Sequence, residues 1–150
     1  QGHSAVPQMA PSPKKMVAPT SWAGVTTVMF RNIPSRYTQQ SLLAELRSEG
    51  FFPDYFYLPM DFKKNANAGY AFLNFGEEKE VAAFHSRYDG SRLSIRSAKF
   101  LQVVPAALQG YDANFAHMQH SAVMNHHRYY RLHLQELYQN NHNNPSKNIE

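Results

Sequence analysis

The chain has 150 residues, 43% of them hydrophobic and none of them cysteine, which suits one domain of ordinary size with additional tail. The absence of cysteine excludes a disulfide scaffold and cysteine-based zinc sites, and it is typical of a reducing compartment. No apolar run reaches the roughly 18–20 residues of a membrane span, and the first residues lack the apolar centre of a signal peptide. Because the chain begins with Gln and not Met, we expect a piece of a longer protein.

The net charge of +4 is unevenly distributed along the chain. Residues 1–25 contain two lysines and no acidic residue, whereas residues 26–105 contain ten basic and eight acidic residues. The central region is therefore only weakly basic. If it binds nucleic acid, attraction to phosphates is not the whole source of affinity, and stacking and hydrogen bonding have to contribute.

The two ends of the chain differ in composition from its centre. Residues 1–25 are rich in Pro, Ser and Ala, and we predict a disordered N-terminal arm there. Residues 106–125 form a predicted helical extension. The stretch "HHRYYRLHLQELY" (126–138) is typical of a second short amphipathic helix, and the Asn-rich residues 139–150 are predicted to be a disordered tail.

The first half of the central region predicts a strand, a helix and a second strand. "TTVMFRNI" (26–33) is β-branched and aromatic and ends at Pro34, as a strand does. Thr38 is placed to cap a helix that continues through Glu49 and places three leucines on one face. "DYFYLPM" (54–60) predicts a second strand, broken by its proline, and the polar residues 61–68 predict a loop.

The second half predicts the same order of a strand, a helix and a strand. "GYAFLNF" (69–75) predicts a third strand, residues 77–90 a helix that opens with acidic residues, and "AKFLQVV" (98–104) a fourth strand. The order βαββαβ is that of the ferredoxin-like split βαβ arrangement. We therefore predict an α+β fold with a four-stranded antiparallel sheet, two helices on one face and the other face open.

Two of the predicted strands carry motifs. Residues 68–75 read A-G-Y-A-F-L-N-F, against the ribonucleoprotein-1 pattern K/R-G-F/Y-G/A-F-V-x-F/Y of RNA-recognition motifs. The first position departs from it, with Ala68 in place of a cation. "VMFRNI" (28–33) stands where the partner motif belongs, on the first strand, with Asn32 at its fifth position. Met29 occupies its second position, which is normally aromatic.

Longer segments resemble one family in particular. "VMFRNIPSRYTQQSLL", "YLPMDFKKNANAGYAFLNF" and "LQGYDANFAHMQHSAVMN" are similar to the C-terminal RNA-recognition motif of Mei2-like proteins. The resemblance covers residues 26–125. It implies a eukaryotic RNA-binding protein, nuclear and/or cytoplasmic, that regulates the fate of RNA in meiosis or differentiation, and it also accounts for the methionine at position 29.

Strand alternation separates a core face from an open face of the sheet. Nine side chains are predicted to point toward the helices: Val28, Phe30, Phe56, Leu58, Ala71, Leu73, Phe75, Leu101 and Val103. Single-stranded RNA is read by bases splayed onto exposed aromatic rings, and Tyr70 and Phe72 hold the main stacking positions of the family pattern. The predicted RNA-binding residues are Met29, Arg31, Asn32, Tyr57, Lys63, Lys64, Tyr70, Phe72, Asn74, Phe100 and Gln102.

Two alternatives for the open face remain. A register slip of one residue would exchange the two faces. Against it, Gly69 and Ala71 are too small to fill a core if the larger pair, Tyr70 and Phe72, faced outward for no reason. The extension has Leu108, Tyr111, Phe115, Met118 and Val123 at helical spacing and has to bury this stripe, so it is a candidate cover for part of the sheet. In that case the domain would be a protein-interaction module.

Other functions have weaker support in the sequence. His117 and His120 have the spacing of a shared helix face, but no cysteine and no carboxylate beyond Asp112 accompanies them, so no metal site is predicted. Neither a glycine-containing phosphate loop after the first strand nor a catalytic triad or paired carboxylates is evident. The Arg-x-Phe of peptide-binding relatives is missing from "GSRLSIRSAKF". We therefore predict a monomeric, non-enzymatic protein without a cofactor or membrane segment, whose extension is available to a protein partner.

Overall fold

The computed structural model describes residues 17–120 of the chain. Most of the predicted N-terminal arm, the predicted helix at 126–138, the tail at 139–150 and Val123 of the predicted stripe lie outside this range. No helix within residues 17–120 is both long enough and apolar enough to cross a membrane.

The described residues form six strands and three helices. In chain order they are β1 (Thr27–Arg31), α1 (Gln39–Ser48), β2 (Tyr55–Tyr57), β3 (Met60–Asp61), β4 (Ala66–Asn67), β5 (Tyr70–Asn74), α2 (Glu78–Tyr88), β6 (Gln102–Pro105) and α3 (Tyr111–Gln119). Four strands make an antiparallel sheet in the order β2-β5-β1-β6, and β3 pairs only with β4. The predicted ferredoxin-like fold is confirmed, with an additional hairpin and a third helix.

The core lies between one face of the sheet and helices α1 and α2. All nine side chains predicted to face the helices are buried in one apolar cluster. Phe84 of α2 lies at its centre, with its ring centroid 5.0 Å from that of Phe30, 5.3 Å from Phe51 and 5.2 Å from Phe75. Tilted and edge-to-face ring pairs of this kind add to the free energy gained from burial of their area. The core thus holds the sheet rigidly from one side.

Helix α1 begins and ends as its sequence predicts. The Thr38 side chain accepts a hydrogen bond from the Ser41 N–H at 3.1 Å, and the Ser41 hydroxyl accepts one from the Thr38 N–H at 2.9 Å. This capping box satisfies backbone donors that the first turn leaves free. Gly50 follows the helix with a φ of 91°, a left-handed conformation that glycine adopts without strain.

Residues 61–68 were predicted to be a loop, and this was wrong, because they contain the last residue of β3, the turn and all of β4. The Asp61 carboxylate accepts hydrogen bonds from the backbone N–H groups of Lys63 at 3.1 Å and Lys64 at 3.3 Å. Asn65 then turns the chain with a φ of 51°. Asp and Asn both favour such turns, so the sequence did contain a turn signal. The polar character of residues 61–68 favoured a loop instead, and the short strands on either side of the turn were missed.

The fourth sheet strand starts later than predicted. Residues 98–101 belong to the loop between α2 and β6, in which the Lys99 N–H donates to the Ser97 hydroxyl at 3.3 Å and the Leu101 N–H to the Ser91 carbonyl at 2.9 Å. The strand then continues through Pro105. A proline is tolerated there because β6 is an edge strand.

The domain begins before residue 26, so the predicted arm of residues 1–25 extends too far. Val25 is buried in the core, and its N–H donates to the Trp22 carbonyl at 3.1 Å. The Trp22 ring lies edge-on to His85 of α2, with the centroids 5.0 Å apart. The residues preceding β1 therefore pack against the second helix.

Candidate nucleic-acid interface

The strand register places three rows of side chains on the face of the sheet away from α1 and α2. The first row is Tyr55–Asn74–Thr27, the second is Tyr57–Phe72–Met29–Val104, and the third is Tyr70–Arg31–Gln102. Their neighbours Ala71 and Leu73 are fully buried on the core face. The register is therefore the predicted one, and the slipped alternative was wrong.

Helix α3 covers the first row. The Tyr111 ring packs edge-on against Tyr55, with the centroids 6.2 Å apart, and stacks on Phe115. Met118 of the same helix is only 2% exposed and belongs to the core cluster. The sequence left open whether the extension packs across part of the sheet, and the structure shows that it does.

A buried polar network joins the first row to the start of α3. The Thr27 hydroxyl donates to the Asn74 carbonyl oxygen at 2.7 Å and accepts from the Gly110 N–H at 2.8 Å and the Asn114 amide at 3.3 Å. The Asn74 amide donates to Asp54 at 2.8 Å. Asn74 is 4% exposed, so the structure contradicts its predicted role in reading a base edge, because both ends of its amide bond to the protein.

Gln109 fixes the segment between β6 and α3. Its carbonyl oxygen accepts from the N–H groups of Thr26 at 3.0 Å and Thr27 at 2.9 Å, and its amide donates to the carbonyls of Thr27 and Ala106, both at 2.8 Å. The Gln109 side chain thereby hydrogen-bonds the backbone at the start of β1 in the way that a neighbouring strand would. Fully satisfied networks of this kind are rigid, so α3 is a fixed wall of the sheet face.

The second row remains open and forms the floor of a hollow of about 610 Å³ beside α3, here called the sheet hollow. It is lined by Ala18, Met29, Tyr55, Tyr57, Pro59, Tyr70, Phe72, Val104, Pro105, Ala106, Ala107, Leu108, Asn114, His117 and Met118. No carboxylate, lysine or arginine is among these residues. An uncharged concave surface with aromatic walls suits a flat apolar or heteroaromatic group.

Phe72 and Met29 are directly paired across β5 and β1 on the floor of the sheet hollow. Both are half-buried, and the Tyr70 ring lies edge-on to Phe72 with the centroids 5.6 Å apart. Tyr57 also lines the hollow but is only 8% exposed. On the second row the accessible stacking surface is thus one phenyl ring with a thioether beside it, which can pack against a base as a polarizable group, and the Tyr70 ring of the third row adjoins it.

A second hollow, of about 500 Å³, lies at the other end of the face and is here called the loop hollow. It is lined by Arg31, Asn32, Ile33, Pro34, Ser35, Ala68, Gly69, Tyr70, Ser97, Ala98 and Lys99. Tyr70 lines both hollows, which therefore adjoin one another at that residue.

Three more of the predicted RNA-binding residues lie in or beside the lining of the loop hollow: Asn32, Phe100 and Gln102. Gln102 is exposed and pairs with Arg31 in the register. Phe100 is 53% exposed and carries the Arg92 guanidinium 4.4 Å from its ring centroid, a cation–π contact. Asn32 donates its amide to the Phe100 carbonyl at 2.8 Å.

Lys63 and Lys64 are exposed at the tip of the β3–β4 hairpin and line neither hollow. Their predicted contact with RNA stays a prediction.

Two residues that line the hollows, Lys99 and His117, were not among the predicted RNA-binding residues. Lys99 precedes β6 in residues 90–105, a stretch that contains Arg92 and Arg96 and no acidic residue. This local positive charge was the signal that could have indicated a role for Lys99 in binding RNA. His117 was considered only as a metal ligand. Within residues 17–120, no three His, Asp or Glu side chains are grouped closely enough to hold a metal ion.

Tyr37 fastens the loop between α2 and β6 to α1. Its hydroxyl donates to a Glu45 carboxylate oxygen at 2.6 Å and accepts from the Ile95 N–H at 2.9 Å, while the other Glu45 oxygen accepts from the Ser94 N–H at 3.0 Å. Burial, together with the Glu45 carboxylate, raises the pKa of Tyr37 to about 12. The neutral phenol is therefore the form that the fold requires.

This raised pKa predicts a loss of stability at high pH. In the unfolded chain a tyrosine loses its proton near pH 10, so the free energy of unfolding should fall as the pH rises from about 10 to about 12. Tyr88, whose pKa is also raised to about 12, contributes in the same direction. Urea unfolding at a series of pH values should give a shallower fall for Tyr37→Phe than for wild type. An unchanged slope would contradict the assigned role of Tyr37.

The profile of the protein family described as RNA recognition motif 2 matches residues 25–119. This match spans more than half of the chain, from buried Val25 to the end of α3. The chain belongs to the RNA recognition motif 2 family. The third helix therefore lies within the region that the family profile describes.

Relatives of this RNA recognition motif 2 domain include Mei2-like proteins of plants. "Protein MEI2-like 4" of Oryza sativa subsp. japonica is 38% identical over 103 residues, which cover 67% of this chain and 10% of that protein. "Protein MEI2-like 3" of Arabidopsis thaliana is 39% identical over 103 residues, which cover 67% of this chain and 13% of that protein. The resemblance to Mei2-like proteins is confirmed, and the chain spans about a tenth of the length of these curated relatives.

Solved structures of RNA-recognition motifs are similar to this RNA recognition motif 2 domain at lower identity. "Structure of Rna15 RRM with bound RNA (GU)" has a TM-score of 0.49 and 21% sequence identity, and the match covers 63% of this chain and 97% of that chain.

Proposed function

We propose that the domain binds single-stranded RNA on the open part of its sheet, with a base stacked on Phe72 in the sheet hollow. Membership in the RNA recognition motif 2 family supports RNA binding. The observation that carries the proposed mechanism is the half-buried Phe72 ring on the floor of an uncharged hollow whose far end adjoins Arg31. Each base stacked on an aromatic ring is worth about 1–3 kcal/mol.

The shape of the hollow favours a single strand over a duplex. Helix α3 is a wall beside Phe72, so a base has to enter the hollow to reach the ring. Bases in a duplex are stacked and paired and cannot enter without opening, whereas those of a single strand can be splayed out. His117 and the hydroxyl of Tyr70 stand around the floor as groups able to hydrogen-bond a base edge.

The cellular part of the proposal rests on the similarity to Mei2-like proteins. We propose that the protein regulates the fate of RNA in meiosis or differentiation, in the nucleus or cytoplasm, through this RNA-binding domain and without enzymatic activity. The alternative is a protein-interaction module. The cover of α3 over Tyr55, Asn74 and Thr27 favours that alternative for the first row alone, because the second and third rows retain accessible side chains.

Fluorescence anisotropy tests the proposed function directly. The chain is titrated into a labelled pool of eight-nucleotide single-stranded RNA of random sequence and, separately, into a labelled RNA duplex of the same length. We expect saturable binding to the single strands and weaker binding to the duplex at the same salt concentration. No binding to the single strands would contradict RNA binding, and equal binding to the duplex would contradict the stacking mechanism.

A further inference from the structure

We propose that the loop hollow is a second RNA subsite, which binds a backbone phosphate of the nucleotide next to the base stacked on Phe72. Lys99 and Arg31 are the phosphate-binding residues of this subsite. The inference rests on the proposed function and adds to it a location, a ligand group and a residue, Lys99, that neither strand motif contains.

The position of the loop hollow fits a neighbouring nucleotide. The two hollows share Tyr70, whose ring centroid is 5.6 Å from that of Phe72. A strand that places one base on Phe72 therefore has to pass Tyr70 if it continues toward Arg31 and Gln102 on the third row. The loop hollow opens at that point.

The charges of the two hollows are complementary to different parts of a nucleotide. The sheet hollow has no lysine, arginine or carboxylate in its lining, whereas the loop hollow has Arg31 and Lys99 and no carboxylate. Within residues 17–120, no ion pair joins either of these cations to an acidic side chain. Unneutralised cations around a hollow attract phosphate, while an uncharged aromatic hollow suits a base.

Hydrogen bonds between its walls preorganise the loop hollow. The buried Asn67 amide donates to the carbonyls of Pro34 and Tyr37, both at 2.9 Å, and the Ile33 N–H donates to the Gly69 carbonyl at 2.9 Å. These bonds join the loop after β1 to the turn before β5. Because the walls are already ordered, little conformational entropy is lost there on binding.

A polar group other than the two cations is also available in the loop hollow. The Ser35 hydroxyl lies in its lining, whereas the Ser97 hydroxyl bonds within its own loop, accepting the Lys99 N–H at 3.3 Å and donating to the Lys99 carbonyl at 3.4 Å. Hydroxyl groups are common partners of phosphate oxygens and sugar hydroxyls in nucleic-acid complexes. The lining thus combines two cations with the Ser35 hydroxyl around a space of about 500 Å³, large enough for a sugar phosphate.

The salt dependence of RNA binding tests this subsite. Each phosphate contact to a single strand contributes about 0.7 to the slope of log affinity against log salt concentration. With the random eight-nucleotide RNA pool as probe, Lys99→Gln should reduce this slope, and Arg31→Gln combined with Lys99→Gln should remove the whole contribution of the one bound phosphate, about 0.7. Lys79→Gln is the matched control, because Lys79 is exposed on α2 and pairs with Glu77 at 3.2 Å. The control should keep the wild-type slope.

The outcomes separate the subsite from the proposed function. If wild type binds the single strands and Phe72→Ala weakens binding, but Lys99→Gln keeps the wild-type slope, the subsite is wrong and the proposed function stands. If Lys79→Gln and Lys99→Gln reduce the slope equally, the charge effect is general and the subsite is again wrong. If wild type binds no single-stranded RNA, both proposals fail. Circular dichroism of each variant verifies that the fold is retained.

Discussion

Phe72→Ala is expected to lower the affinity for single-stranded RNA by about 5- to 150-fold, which corresponds to the loss of roughly 1–3 kcal/mol of stacking on one ring. The phenyl ring is the accessible aromatic surface on the floor of the sheet hollow, and Met29 beside it has no ring to replace it. The effect should therefore be larger than in a sheet with two exposed rings on this row.

Titration of the random RNA pool measures this loss by fluorescence anisotropy. Phe52→Ala is the matched control, because Phe52 is 42% exposed and lines neither hollow, so its removal should leave the affinity unchanged. Phe72→Tyr retains an aromatic ring and should retain most of the affinity. Equal affinities of wild type and Phe72→Ala would contradict stacking at this position.

Met118→Ala is expected to lower the free energy of unfolding by about 2–5 kcal/mol, the usual cost of truncating a large buried side chain to alanine. Met118 is 2% exposed and packs in the same cluster as the sheet and the first two helices, although it belongs to α3. Its removal leaves a cavity under a helix that Gln109 and Asn114 hold in place, so the site cannot easily collapse.

Urea denaturation followed by circular dichroism measures the cost of Met118→Ala. Gln119→Ala, at the exposed neighbouring position on the same helix, is the control and should change stability by less than about 0.5 kcal/mol. If Met118→Ala were as stable as this control and bound RNA more tightly than wild type, α3 would be a movable cover and not a fixed wall.

The alternation of side chains along the strands and the residues that mark the helix ends predicted most of the fold. The core-facing residues of β1 and β5, Val28, Phe30, Ala71 and Leu73, alternate with residues of the opposite face, so one register buries all four. Thr38 and Gly50 mark the two ends of α1. These are local signals, which is why the element types and the two faces of the sheet were predicted correctly. The resemblance of residues 68–75 to a motif then fixed the position of β5 in the sheet.

Long-range hydrogen bonds explain what sequence patterns did not show. Asn74 has the alternation of an open-face residue, but its partners Thr27 and Asp54 come from other strands and loops. Whether an amide faces solvent or a buried hydroxyl depends on where α3 lies, and α3 is placed by Gln109, which lies 82 residues from Thr27. No local pattern encodes such a contact.

The loop before β6 shows the same limit for the candidate site. Residues 98–101 are apolar enough to predict a strand, yet Ser97, Ser91 and the Asn32 amide bind this segment as a loop. That change moves Lys99 from a predicted strand into the lining of the loop hollow. The loop hollow could therefore not be predicted from the sequence, although the basic residues that line it, Arg31 and Lys99, are evident there.

The most direct test of RNA binding on the sheet face is a backbone amide chemical-shift map of the chain, recorded on addition of the random eight-nucleotide RNA. We expect the largest shifts at Met29, Tyr70 and Phe72, smaller ones at Lys99, and none around Trp22 and α2 on the opposite side of the domain. Shifts confined to the Trp22 side, or to the β3–β4 hairpin with the sheet unchanged, would contradict binding on the sheet.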